Sequence, residues 1–194
     1  MKKREPKQIH YEEPKPLRVI GGRYRRRRLK SLPGLATRPM LDRQRETLFD
    51  VIQNDIEGSI FVDLYAGTGA VGIEALSRNA SRVTFVEASQ AACGVIRGNL
   101  LTVGVVADAT VVNKAVSDVL SGLTADIFFL GPPYASHEEY EQTLTTLGGN
   151  PPPLVIAQHD SKHELAERYG GLERFRMIRQ GKNCLTFYAL PDEN

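Results

Sequence analysis

The stretch Asp63-Leu64-Tyr65-Ala66-Gly67-Thr68-Gly69-Ala70-Val71-Gly72 constrains this chain more than any other. A short apolar run, Ile60 to Tyr65, leads into it, and Ala70 to Ser77 follows with Val71, Ala75 and Leu76 at spacings that suit a helix. Strand, glycine turn and helix in that order open a parallel α/β unit. Glycine lets the backbone turn sharply and approach a ligand, while the helix start behind it offers unpaired N–H groups. The next apolar run, Arg82 to Val86, ends at Glu87, about 20 residues past the first glycine, where a carboxylate can accept both hydroxyls of a ribose.

The acid in front of the turn narrows the ligand. Asp63 stands four residues before Gly67, at the strand end, where it disfavours a pyrophosphate and suits a cationic group. The amino end of S-adenosylmethionine is such a group. The plainer alternative is a helix-capping aspartate on an ordinary glycine turn.

Downstream, the periodicity predicts a helix over Gln90 to Leu101, a strand over Thr110 to Val112 and a short helix over Asp118 to Leu123. A strongly apolar strand, Ala125 to Leu130, stops at Gly131-Pro132-Pro133. A helix over Glu138 to Leu147, a strand over Leu154 to Gln158 and a short helical piece over Glu164 to Tyr169 follow. Arg174 to Gln180 and Cys184 to Leu190 read as a final antiparallel pair. Alternating strands and helices imply an open, mostly parallel α/β sheet with an antiparallel C-terminal strand. Upstream, residues 1–16 are polar and rich in Pro and Lys, which predicts a disordered tail. Leu17 to Ile20, the turn Gly21-Gly22 and Arg23 to Lys30 form a small β-hairpin, and Asp42, as N-cap, opens a helix to Ile52. The expected division is therefore a tail (1–16), a basic hairpin and helix (17–52) and the α/β domain (53–194).

Net charge is only +2 over 194 residues, so the overall balance says little about partners. Its distribution says more, because most of the basic excess precedes residue 50, with Arg23 and Arg25 to Arg28 at its centre. Such asymmetry points to an anionic partner, and Arg and Tyr interleaved on a hairpin suit phosphate contacts and stacking. Cys93 and Cys184 are far apart with no metal-ligand spacing, which predicts free thiols, no metal and a reducing compartment. No apolar run approaches the ~18 residues of a membrane span, and the expected location is cytoplasmic.

The second chemical motif is Phe128-Phe129-Leu130-Gly131-Pro132-Pro133-Tyr134. Two prolines after a buried strand hold the chain rigid at the ligand-binding end of the sheet, and the neighbouring ring can stack on a flat base. A half-buried tyrosine on an ordinary Pro-Pro loop is the bland alternative.

Together these residues resemble the bacterial 16S ribosomal RNA guanine-N2 methyltransferases of the RsmD type, from about Leu17 to Leu190. The similarity is carried by Arg18-Val19-Ile20-Gly21-Gly22, by Leu35-Ala36-Thr37-Arg38-Pro39 and by Asp42 to Phe49. It continues through Asp63 to Gly69, Gly72 to Arg78 and Gly181 to Tyr188. The resemblance implies a Rossmann-like class I methyltransferase sheet with S-adenosylmethionine held by Asp63, Tyr65, Ala66, Gly67, Gly69, Glu87 and Asn113. It implies a flipped guanine held by Gly131, Pro132, Pro133 and Tyr134, and RNA contacts from Arg18, Arg23, Arg25 and Arg38. The implied partner is ribosomal RNA or the assembled small subunit, approached by a monomer. One departure stands out: where the family has Asp in an Asp-Pro-Pro-Tyr (or Phe) motif, this chain has Gly131. Glycine offers the amine only a backbone carbonyl, so a cofactor- and RNA-binding relative with impaired catalysis is an alternative. Methylation of an adenine N6 or another amide nitrogen is a third.

Overall fold

The computed structural model describes residues 16–32 and 40–191. The tail expected over residues 1–16 lies outside them except for Pro16, as does Arg38.

One sheet of eight strands organises the chain, in the order β3-β2-β1-β4-β5-β8-β7-β6. The strands β1 (Ile60–Leu64), β2 (Arg82–Val86), β3 (Ala109–Val112), β4 (Ile127–Leu130) and β5 (Leu154–Asp160) are parallel. Three antiparallel strands extend the sheet beyond β5: β8 (Asn183–Ala189), β7 (Leu172–Gln180) and β6 (Arg168–Tyr169). Central strands of a two-sided sheet must be apolar on both faces, and Ile127–Leu130 is buried throughout. Phe61, Phe85, Phe129, Ile156 and Phe187 face one layer with α1 (Asp42–Val51), α2 (Ala70–Ser77) and α3 (Gln90–Val103). Val62, Leu64, Phe128, Leu130 and Val155 face the other with α4 (Val116–Val119) and α5 (His137–Gly149).

The structure departs from the sequence reading in four places. Glu164 to Tyr169 is not helical: Leu165 and Tyr169 are buried four residues apart, which imitates a helical face, but the segment is extended and ends in β6. Gly170, at φ +56°, and the backbone packed against Gly148 turn it into β7 instead. The helix expected over Asp118 to Leu123 starts earlier, at Val116, and tightens into a 3₁₀ turn over Leu120–Gly122. The N-cap of α1 is Leu41 rather than Asp42, whose carboxylate sits in the first turn against Arg45 (3.1 Å) and Arg18 (3.3 Å). The hairpin is a single bridge, Arg18 to Arg28, closed by a turn, rather than two ladder strands. Gly22 and Arg26, at φ +71° and +73°, twist it out of register.

The hairpin is held from elsewhere, by polar and apolar contacts together. Glu74, fully buried on α2, accepts the N–H groups of Ile20 (2.8 Å) and Gly21 (2.7 Å). Ser77 accepts from Arg23 N–H through its carbonyl (2.7 Å) and from Tyr24 N–H through its hydroxyl (3.0 Å). Val19 and Leu29 join the apolar layer of α1 and α2.

Candidate active site

The order of the sheet reverses at β1, with β2 and β3 on one side and β4 and β5 on the other. Leu64 pairs with both Val86 and Leu130, so the three strands end level. The loops that follow, Tyr65 to Gly69, Glu87 to Ser89 and Gly131 to Tyr134, therefore open from one mouth, where open α/β sheets bind ligands.

On the β1–β2 side the turn is fixed by backbone. Gly67 and Gly69 adopt φ +56° and +76°, the left-handed region that glycine enters without a Cβ penalty. Gly69 N–H closes the turn on Ala66 O (2.7 Å), and Ala66 N–H bonds Val86 O (3.0 Å). Glu87 accepts Gly67 N–H on one oxygen and Ser89 N–H on the other, both at 2.8 Å. A carboxylate has about four lone-pair sites, so each oxygen keeps capacity for a ribose hydroxyl. Asn113 donates both Nδ2 protons, to the carbonyls of Glu87 (3.0 Å) and Ala88 (2.9 Å), and so locks the turn that carries Glu87. Beyond Gly67 a Cβ would meet nothing closer than 4.0 Å, which leaves the face of the turn open to a ligand.

Asp63 is placed differently from the simple expectation of an open anion. It is 1% exposed, and one oxygen accepts Gly72 N–H (2.9 Å) inside α2. Burial raises its pKa to about 8; the bond from Gly72 opposes the rise and the charge of Glu87 adds to it. A value raised this far favours the protonated group at neutral pH. Tyr65, a non-glycine residue at φ +61°, costs about 1 kcal/mol of strain there. Its hydroxyl turns away from Glu87 to Thr143 on α5 (2.9 Å), so its side chain faces the β4–β5 side.

On that side, Pro132 is buried while Pro133 and Tyr134 are exposed. The Tyr134 hydroxyl donates to Asn183 Oδ1 (2.5 Å) and accepts from Gln158 Nε2 (3.1 Å), which fixes the ring at the mouth. Burial of the hydroxyl pushes its pKa up, so it remains a donor at neutral pH. Tyr140, fully buried, shares its proton between Gln158 O (2.7 Å) and Pro132 O (3.1 Å). The Pro132 carbonyl is thus already committed to the scaffold. Gly131 has no positive φ, and a Cβ built on it meets only ordinary contacts at 3.5 Å, so the backbone does not require glycine.

A family model described as conserved hypothetical protein 95 matches residues 17–189. This chain belongs to that family. Bacillus subtilis YlbH is 32% identical over 182 residues, covering 89% of this chain and 98% of its own. The ribosomal RNA small subunit methyltransferase D of Escherichia coli K12 is 36% identical over 136 residues, 69% of this chain and 68% of its own. The solved structure of Escherichia coli yhhF superposes with a TM-score of 0.80 at 31% identity, covering 91% of this chain and 98% of that one.

In this member of the conserved hypothetical protein 95 family the basic residues lie apart from the mouth. Arg23 and Arg25 are exposed on the hairpin turn, which is docked at the C-terminal end of α2, away from its glycine turn. Arg18 is exposed but paired with Asp42. Nearer the mouth is Lys30, whose backbone is held by the fully buried Asn99: Oδ1 accepts its N–H (2.7 Å) and Nδ2 donates to its carbonyl (3.1 Å). The same Nδ2 donates to Thr68 O in the glycine turn (3.0 Å), so one side chain joins the basic segment to that turn. Two open cavities of about 470 and 670 Å³ lie at the opposite, amino ends of the strands, and neither is lined by residues of the mouth. Sequence reasoning missed Asn99, Gln158, Tyr140 and Asn183. For Gln158 a signal existed: it is the polar residue that directly follows the apolar run of a parallel strand, as Asp63 and Glu87 do.

Proposed function

We propose that this chain transfers a methyl group from S-adenosylmethionine to the N2 amine of a guanine in small-subunit ribosomal RNA. One observation carries the reading: the glycine turn with Glu87 and the Gly131–Tyr134 turn leave paired strands at the switch point, with Leu64 opposite Leu130. Two turns that open side by side support a nucleoside site next to a base-stacking site. Family membership and the names of the relatives support both the cofactor and the RNA substrate.

S-adenosylmethionine supplies an electrophilic methyl group on a sulfonium. The residues present fit it. Glu87 accepts the ribose hydroxyls, the turn around Gly67 gives its open face to the nucleoside, and Asp63 takes the cationic amino end. Tyr134 stacks on the guanine, its ring held by Asn183 and Gln158. The amine lone pair is thereby aimed at the methyl carbon; the N–C bond forms as the C–S pair returns to sulfur, and the amine proton passes to water. Orientation of this kind supplies most of the acceleration, because it removes the entropy of bringing two partners together. The hairpin residues Arg18, Arg23 and Arg25, with Arg38, contact phosphates and orient the RNA. The segment 17–52 thus acts as the RNA-binding part and 53–194 as the transferase.

The test is transfer of labelled methyl groups to small ribosomal subunits lacking this modification, followed by nucleoside analysis. Labelled N2-methylguanosine is the expected product. Label in N6-methyladenosine would change the acceptor, and no label with measured cofactor binding would favour a non-catalytic binding protein. Gly131 is the observation behind that second reading, since it leaves position 131 without a side chain to meet the amine.

A further inference from the structure

Position 131 has a neighbour that can do what a side chain there would do. Leu130 pairs with Ala157, so the residues that follow, Gly131 just past β4 and Gln158 within β5, lie alongside each other. A Cβ built on Gly131 finds Gln158 Oε1 at 3.5 Å, its nearest contact together with Phe129. The space above Gly131 is therefore faced by an amide oxygen. Gln158 is 8% exposed; Tyr140 holds its carbonyl, and the bond from its Nε2 to the Tyr134 hydroxyl holds its side chain. Its orientation is set as well. The Tyr134 hydroxyl donates to Asn183 Oδ1 and accepts from Gln158 Nε2, which leaves Oε1 on the side of Gly131. Among the described residues Oε1 accepts no hydrogen bond.

We propose that Gln158 is a catalytic residue for the methyl transfer: its Oε1 accepts one N–H of the exocyclic amine while its Nε2 holds Tyr134. The proposal rests on the function proposed above. An exocyclic amine is conjugated with its ring, and an acceptor on one N–H turns the nitrogen lone pair out of that conjugation toward the methyl carbon. The amide is too weak a base to take the proton, which leaves to water after the N–C bond forms and the C–S pair returns to sulfur. An amide also does not titrate near neutrality, so the acceptor keeps its strength across that range. One side chain thus couples the amine to the stacking ring, through two atoms of the same planar group.

The experiment measures kcat and KM on small subunits lacking the modification, and cofactor affinity by calorimetry, for wild type and four variants. Gln158→Leu keeps the volume and removes both polar atoms; kcat falls about 100-fold, the loss typical of one positioned group. KM for the subunit and cofactor affinity stay within about threefold, because neither depends on the amine contact. Tyr134→Phe keeps the ring and removes its hydroxyl, and loses about tenfold less than Gln158→Leu. Gln158→Glu keeps an acceptor at the same place, and its kcat rises with pH as the carboxyl ionises, a dependence that wild type lacks. Gly131→Asp added to Gln158→Leu recovers about tenfold, because the open space admits the new carboxylate beside the amine. Activity of Gln158→Leu within threefold of wild type overturns the proposal. So does a pH profile of Gln158→Glu that matches wild type, a result that decides the matter even if the leucine variant does not fold. Equal losses for Tyr134→Phe and Gln158→Leu reduce Gln158 to a support for the ring and overturn the direct contact. Wild type that puts no methyl on guanine fails earlier, at the reading on which this rests, and is recognised by the wild-type control alone.

Discussion

On the β1–β2 side of the mouth Glu87, Asn113 and Asp63 bond to backbone; on the β4–β5 side the row Gln158, Tyr134 and Asn183 is joined side chain to side chain. Glu87 holds Gly67 and Ser89, Asn113 holds the carbonyls of Glu87 and Ala88, and Asp63 holds Gly72. Across the sheet, Gln158, Tyr134 and Asn183 form a side-chain row brought together from three segments. A group tied to local backbone is positioned as soon as its own strand and turn form. A side-chain row is positioned only when β4, β5 and β8 have all assembled. The first arrangement suits a ligand that is always the same; the second can be retuned by single substitutions, and Gly131 sits within it.

The largest expected effect breaks the backbone-held side. Glu87→Ala removes the anchor of Gly67 and Ser89 as well as the acceptor for two hydroxyls. Hydrogen bonds to a charged group are worth about 1.5–3 kcal/mol each, so cofactor affinity should fall at least about 100-fold. Isothermal calorimetry measures it, and a loss below about fivefold would show that Glu87 does not meet the ribose. The corresponding break on the other side is Tyr134→Ala. Loss of a stacking ring costs about 1–3 kcal/mol, so turnover should fall about 5- to 150-fold while cofactor affinity stays within about threefold. Equal losses in both quantities would mean that the two sides are not separable.

A smaller effect sharpens the role of Asp63. Its folded pKa, raised by burial to about 8, lies above the ordinary 3.8. The linked stability is therefore fully present below about pH 4 and is lost as pH rises toward about 8. Thermal unfolding of wild type compared with Asp63→Asn should show that slope in wild type alone. Cofactor binding works in the opposite direction, because a cation favours the carboxylate: between about pH 6 and 8 affinity should rise with pH, by at most tenfold per unit, with release of a proton. Calorimetry in buffers of different ionisation enthalpy detects the proton. No release would mean that Asp63 stays a buried cap and never meets the cationic end.

The same contrast explains what is legible in the sequence. Strand, glycine turn, helix and acid occur within one short stretch, so the spacing alone brings Asp63, Gly67, Gly69 and Glu87 together at one turn. The parallel sheet follows from alternation, and α2 and β2 from their apolar runs. The misreading at Glu164–Tyr169 has a physical cause: two buried residues four apart satisfy a helical period without a helix, and only packing against Gly148 decides. Gln158 and Asn183 are not legible as partners of Tyr134, because 24 and 49 residues separate them from it. Asn99 is hidden for the same reason, being 69 residues from Lys30 and 31 from Thr68. Local turns write themselves into sequence; rows of side chains from distant strands do not.

The smallest expected effect concerns the hairpin, which combines both kinds of attachment. Its backbone is clamped by Glu74, Ser77 and Asn99, yet its arginines point outward, and among the described residues Arg23 and Arg25 form no ion pair while Arg18 pairs with Asp42. A phosphate contact releases counterions, so each one contributes about 0.7–0.9 to the slope of log affinity against log salt. Replacing Arg23 and Arg25 together by alanine should lower the magnitude of that slope by about 1.4–1.8, with the loss of activity falling on KM. Arg18→Ala should change it less, because Asp42 already neutralises that side chain and the pair would have to open first. Filter binding or anisotropy over a salt series measures all three proteins. If the double variant leaves the slope unchanged, the phosphates are met elsewhere, with Lys30, nearer the mouth, the next residue to replace, and the hairpin turn serves only to brace α2.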